Sequence, residues 1–390
     1  MTSTPILKIP RLTIIALALF ALMGWGFAYL YFSNTRGHLD FQHHAVGRDF
    51  INVWMASRLT LQGHVVDVFS PARYLAAAHA QFDQRLPLHF WSYPPTALFT
   101  TLPFGAFDYL TAYGLWTVAS LIVLLAAART YVTNRTDLCL LMASPAVATN
   151  LVMGQNGCLT AALLFCGLSA FDSRPRRAGF WFGLLTFKPQ LGLLIPVAVL
   201  ASPRRWTMLA MAGAVGLGLV ALSIAVFGVA SWQAFFRDTA PMQSTMMTRG
   251  VGPMQWMSPS AFMSGRVLNL PLAGVIALQA PFTAVGVWLA WRAYRSSAEP
   301  ALKSAQLMVA TFLASPQSFN YDLIPLAAAA LVLARGPRSL VDSFAAVLIW
   351  IVPIAVIPLN FQGTPIAPCL IGLAAWRLEK RISEPRTSLT

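Results

Sequence analysis

Residues 12–32 read LTIIALALFALMGWGFAYLYF, an apolar run with Lys8 and Arg11 in front of it and no charge inside it. Roughly 20 such residues carry a helix across a hydrocarbon core of roughly 30 Å. The run resembles a secretory leader but is too long for one and lacks a small-residue cleavage site, so it is expected to stay as a first membrane span. Comparable runs recur at 107–128, 137–153, 157–171, 205–229, 268–291, 301–315, 321–334, 339–358 and 364–377, which makes ten expected crossings. The chain reads as an all-α polytopic membrane protein, since a transmembrane barrel would show short alternating strands.

Composition agrees with that reading. Of 390 residues, 57% are hydrophobic and 10% charged, against roughly a quarter charged in soluble proteins. A soluble fold is excluded, no separate soluble domain is visible, and residues 1–390 read as a single membrane domain. The net charge of +14 would suggest nucleic acid in a soluble chain; here most of it marks topology, and no nucleic-acid partner is expected. Lys8 and Arg11, Arg129 and Arg135, Arg174, Arg176 and Arg177, Arg204 and Arg205, Arg292, Arg295 and Lys303, Arg335 and Arg338, and Arg377, Lys380, Arg381 and Arg386 all fall at span ends on one side. By the positive-inside rule that side is cytoplasmic, which places both termini, and the tail at 378–390, inside the plasma (inner) membrane. Cys139, Cys158, Cys166 and Cys369 sit in apolar surroundings without ligand spacing and read as packing residues.

The stretch 178–201 breaks the count, because basic residues flank both of its ends and Lys188-Pro189 interrupts its middle. Proline removes a backbone donor and breaks the helix, so two half-helices folded back as a re-entrant hairpin satisfy the charge rule. One ordinary span with a snorkelling lysine satisfies the hydropathy equally well.

Residues 33–95 form the one long extramembrane loop, on the face opposite the termini, and hold all six histidines. Its sequence predicts an interfacial amphipathic helix from Asp49 to Gln62, stopped by Gly63, with Phe50, Trp54 and Leu61 on one side and Asp49, Asn52, Ala56 and Thr60 on another. Ser70-Pro71 predicts a second helix running to Phe82. Tyr93-Pro94-Pro95 then ends the loop in stiff extended backbone. His43-His44 point apart in any regular element and no ligand spacing recurs, so no metal and no cofactor is expected.

Acidic side chains are scarce, and no glutamate precedes Glu299. Asp49, Asp108 and Asp322 fall near the outer membrane face, where ionisable groups are functional candidates by default. Each has a plainer reading too. Asp49 could be a helix cap, Ser318, Asn320 and Asp322 a capping turn after Pro316, Gln155-Asn156 a polar turn, and Trp91 and Tyr93 interfacial aromatics.

Gly47-Arg48-Asp49-Phe50 with Trp54 and Gly63 downstream, then Tyr93-Pro94-Pro95, Gly154-Gln155-Asn156 and Lys188-Pro189-Gln190, in this order, resemble the family 87 integral-membrane glycosyltransferases, polyprenol-phosphate-mannose-dependent α-mannosyltransferases of the GT-C class. The resemblance spans roughly residues 12–322. It implies a GT-C-like bundle of about 10–12 transmembrane helices with a structured first extracytoplasmic loop packed over a membrane cavity, and Asp49 as the catalytic carboxylate. In the final third the family's aromatic and histidine pattern is replaced by Asn320-Tyr321-Asp322.

One carboxylate suffices for such chemistry. A polyprenyl-phosphate sugar already carries a stable leaving group, so the second carboxyl of a glycosidase is not required. Asp49 would take the proton of the acceptor hydroxyl as it attacks from the face opposite the phosphate, with inversion. Arg48, Arg58 and Lys188 are the candidate phosphate ligands. Asn52, Tyr93, Gln155, Asn156, Gln190, Tyr321 and Asp322 are the candidates for sugar and acceptor. The expected partners are a polyprenyl-phosphate sugar donor, a lipid-linked or envelope glycan acceptor on the extracytoplasmic face, and membrane lipids. Two other classes fit the same residues: a secondary transporter with Asp322 and Lys188 as intramembrane ligands, and a non-catalytic subunit of an envelope glycan pathway. A transporter would pair broken segments in two halves, and no such pairing is visible.

Overall fold

The computed structural model describes residues 8–40, 43–132, 134–336 and 339–384, so Arg338, Arg386 and the last part of the expected tail lie outside the described residues. Among the described residues the regular elements are helices, apart from a hairpin of two two-residue strands, Thr35–Arg36 with Leu39–Asp40. Five helices among the described residues are long and apolar enough to cross a bilayer: Arg11–Ser33, Tyr109–Tyr131, Arg205–Phe227, Leu272–Arg295 and Leu340–Phe361. A 23-residue helix of this kind is about 34 Å long. Arg135–Ala143 and Pro145–Met153 form a sixth element bent by 40°, because Pro145 has no N–H to offer the preceding turn. Ser144 accepts from the Val147 N–H and starts the second half.

The remaining expected spans are shorter helices. Gly157–Ala170, Pro300–Ala314, Ile324–Ala334 and Ala367–Ser383 contain 14, 15, 11 and 17 residues, fewer than the roughly 20 that a full crossing takes. Every residue of Ile324–Ala334 is buried, so a helix apolar all round is here the centre of the bundle. By contrast Arg205–Phe227 turns Trp206, Leu217, Leu222 and Val226 outward, as a helix facing lipid must.

Close packing is set by small residues. A Cβ on Gly179 would come within 2.5 Å of the Met208 carbonyl, and one on Gly183 within 2.6 Å of Val215, so the Pro175–Leu184 helix lies backbone to backbone on Arg205–Phe227. Trp350 donates its indole N–H to the Leu17 carbonyl at 3.0 Å, and Trp25 donates to Ala143 at the same distance. These bonds tie the first helix to the bundle.

Residues 178–201 double back. Pro175–Leu184 rises beside Gly157–Ala170, breaks at Lys188, and Ile195–Leu200 returns. Lys188 meets Asn156 at one end of the 157–170 helix, whereas Ala201 and Ser202 share a cavity with Phe171 and Asp172 at its other end. The described part of the expected tail packs into the bundle: Leu378, Glu379 and Arg381 continue a helix to Ser383 and are buried. Arg381 donates to the carbonyls of Val332, Leu333 and Arg335, and so satisfies the carbonyls left open at the end of Ile324–Ala334.

The loop helix also differs from its expectation. Phe50–Leu61 forms with Gly63 in the left-handed region just after it (φ +83°), but Ala56 is as buried as Phe50. It is enclosed by the loop and by residues 95–106, with Ser57 accepting from the Gly105 N–H and donating to the Leu102 carbonyl. The flanking segments thus enclose Ala56, while Asp49, Asn52 and Thr60 on the face that the pattern assigned to water stay half-buried. The second loop helix, Pro71–Gln81, has proline in its first turn as the sequence predicts.

Candidate active site

Four helix interruptions converge at one end of the bundle: the start of Phe50–Leu61, the turn at 154–156, the break at Lys188, and the turn at Asn320–Asp322. Glycines bring them together. Gly154 ends Pro145–Met153 in the left-handed region (φ +58°), and a Cβ there would come within 2.4 Å of Phe50 and 2.7 Å of the Gly47 carbonyl. A Cβ on Gly157 would come within 2.3 Å of the Tyr321 carbonyl. The Asp49 N–H donates to Met153 at 3.1 Å, and Asn150 donates to the Tyr321 carbonyl at the same distance.

Side chains complete the join. Gln155 donates to Asp49 Oδ2 at 2.8 Å and accepts from the Tyr93 hydroxyl at 3.0 Å, so one amide aligns a carboxylate and a phenol. Lys188 Nζ donates to Asn156 Oδ1 at 2.8 Å and pairs with Asp322 Oδ1 at 2.5 Å. The ammonium lies 5.7 Å from the Tyr93 ring centroid and 5.5 Å from that of Tyr321, within cation–π range. Lys188 is 2% exposed and Asp322 1%; Asp49 is only partly buried. Burial pushes the Asp49 carboxyl above its ordinary value, against the Gln155 hydrogen bond and the positive charges of Arg48 and Lys188. A carboxylate placed this way accepts protons more readily than one in water.

A cavity of about 710 Å³ opens beside this cluster. Its polar end carries Tyr93, Lys188, Gln190 and Tyr321; its apolar wall is Leu209, Ala212, Gly213, Gly216, Leu217 and Val220 on the outward helix. It is thus continuous from a charged head region to a lipid-facing surface. Gln317 and Phe319 also line it; sequence reading passed over both, although they precede Tyr321 in the same turn. Among the described residues, no group of three or more His, Cys, Asp or Glu side chains is arranged to hold a metal.

The structure thus gathers Asp49, Tyr93, Gln155, Asn156, Lys188, Gln190, Tyr321 and Asp322. It sets the other three candidates apart. Arg48 pairs with Asp40 at 2.9 Å and lies over the Tyr31 ring, which leaves it an electrostatic neighbour of Asp49. Asn52 Oδ1 accepts from the Tyr74 hydroxyl at 3.1 Å. Arg58 donates to the Gly105 carbonyl at 3.1 Å and lines a second cavity, without Lys188. Lys188, expected to need a lipid phosphate as its anion, already has Asp322. That aspartate lies 134 positions away in sequence.

No curated protein and no solved structure matches the chain. Glycosyltransferase family 87 matches it over residues 91–316, which takes in Tyr93, Gln155, Asn156, Lys188 and Gln190 and stops short of Asp49 and Asp322 at either end. With more than half of its length matched, in an all-α polytopic frame, the chain belongs to glycosyltransferase family 87 and is a membrane glycosyltransferase.

Proposed function

We propose that the protein moves a hexose, with mannose the first to test, from a polyprenyl-phosphate donor to a lipid-linked or envelope glycan acceptor on the extracytoplasmic face of the plasma membrane. The observation that carries this reading is the cavity that joins Lys188, Tyr93 and Gln190 to the apolar wall of Arg205–Phe227, beside a carboxylate held by Gln155. A lipid-phosphate sugar has the matching form: an apolar tail, an anionic link and a polyol head. In the reaction Asp49 accepts the acceptor hydroxyl proton while that oxygen forms the new bond to the anomeric carbon. The bond from that carbon to the phosphate oxygen breaks, and the phosphate leaves with the electron pair. Attack opposite the leaving group inverts the configuration. Lys188 keeps one N–H beyond its bonds to Asn156 and Asp322, and with the Gln190 amide it is the donor set for the departing phosphate.

Membranes holding the protein, supplied with radiolabelled polyprenyl-phosphate hexoses, test this directly. Labelled lipid-linked glycan is expected with one donor; no labelled product with any of them refutes the reading.

A further inference from the structure

The second cavity, about 600 Å³, lies against the other side of the Phe50–Leu61 helix and is lined by Trp54, Arg58, Gln81, Phe82, Phe107 and Asp108 together with their neighbours. From this cavity we infer a second carbohydrate-binding site, one that takes neutral sugar residues of the acceptor glycan away from the reacting end. The inference rests on the glycosyl-transfer reading above for the word acceptor; the site itself stands on its lining.

That lining selects among ligand classes. Arg58 is half-buried with its guanidinium over the Trp54 ring and Nη1 donating to the Gly105 carbonyl, and among the described residues it has no carboxylate within ion-pairing distance, which leaves Nη2 for a ligand acceptor. A guanidinium N–H left open in a cavity wall is best met by a ligand oxygen, in a charge-assisted hydrogen bond. Asp108, in the same wall, is exposed and caps the Tyr109–Tyr131 helix by accepting from the Thr111 N–H through Oδ1 at 3.2 Å, so an anionic ligand would meet a like charge and a cationic one would meet Arg58. A purely apolar ligand would strand Arg58, Gln81 and Asp108. A polyol satisfies donors and acceptors at once, and its C–H faces suit aromatic walls. Phe82 and Phe107 supply such walls, and Phe107 is 44% exposed. The volume lies in the range usual for small-ligand sites.

Position separates this site from the chemistry. Arg58 follows Asp49 by nine residues, about 13 Å along the helix and half a turn round it. That is further than one sugar ring reaches, so an occupant here is a distal unit of a longer acceptor. The loop would then both place Asp49 and hold the chain being extended.

Binding of the purified full-length protein to an immobilised array of neutral and anionic glycans tests the site, with the Asp49→Asn variant alongside so that no turnover is needed. Retention on neutral glycans of two or more residues is expected for wild type and Asp49→Asn alike. It should weaken roughly tenfold in Arg58→Ala and also in Gln81→Ala and Phe107→Ala, which alter exposed side chains and leave folding intact. No retention of any neutral glycan by wild type, preference for anionic glycans, or retention unchanged in all three variants would each overturn the site. Those results leave the transfer assay untouched, and a failed transfer assay leaves them untouched in turn.

Discussion

Removing either partner of the Lys188–Asp322 pair should damage the protein far more than removing both. Lys188→Met leaves the Asp322 carboxylate 1% exposed with Oδ1 stripped of its cation. Among the described residues its Oδ2 already has no hydrogen-bond partner. Uncompensated buried charge of this kind costs about 3–5 kcal/mol, and the Asn156 oxygen, deprived of its donor, adds about 1–3 kcal/mol if nothing replaces it. Set against a total stability of about 5–15 kcal/mol, this loss should be visible as a large fall in the unfolding midpoint in detergent. Asp322→Leu should cost a similar amount by leaving the ammonium bare. The double variant Lys188→Met with Asp322→Leu removes both charges and should recover most of the loss, so the double-mutant cycle closes with a coupling of about 3 kcal/mol or more. Lys188→Arg keeps the charge and should retain partial activity. Thermal unfolding of the four purified proteins reads the cycle; transfer assays on the same samples show whether the stable double variant still lacks donor use. Single variants within about 1 kcal/mol of wild type, or a double variant as damaged as the two losses summed, would refute the argument.

Three further outcomes follow from the geometry. Transfer should fall as the pH drops through the Asp49 pKa, which burial holds above the ordinary carboxylate value; Gln155→Leu removes a bond favouring the charged form, so the acid limb of the pH–rate profile should move to higher pH, and a limb that stays or moves down contradicts the assignment. Gly157→Ala drives a Cβ against the Tyr321 carbonyl and should cost about 1–3 kcal/mol with slowed transfer; wild-type melting and rate would mean that the 320–322 turn is not held there. In a background without the four native cysteines, a cysteine at exposed Ala76 should react with an impermeant thiol reagent from outside, and ones at exposed Ser173 or Ser297 should not; the reverse pattern inverts the topology.

How far the sequence revealed this arrangement depended on whether a feature was local. Apolar runs, the proline break at Lys188-Pro189, the glycine stop at Gly63 and the polar turn at Gln155-Asn156 are properties of neighbours in the chain, and each appears where the pattern places it. Motifs quoted in order, Asp49, Tyr93, Gln155-Asn156 and Lys188, meet in one cluster because glycines without a Cβ let their turns close on one another. Partners across long separations were not legible. Nothing near Lys188 in the sequence announces Asp322, and a lysine alone in an apolar run points equally to a lipid phosphate or a distant carboxylate. Arg58 and Asn52 lie close to Asp49 in sequence, yet helix geometry and the Tyr74 hydroxyl carry them elsewhere. Burial of Ala56 likewise depends on residues 95–106, which the helix's own pattern does not contain.

Whether Asp49 is the base for glycosyl transfer is read most directly by single-turnover transfer with purified protein saturated with a polyprenyl-phosphate sugar. Asp49→Asn keeps the size and the Gln155 neighbour and removes only the proton acceptor, so the rate should fall by about 10²–10⁴ while donor binding and the unfolding midpoint stay near wild type. A well-folded Asp49→Asn protein that turns over at the wild-type rate would contradict that role.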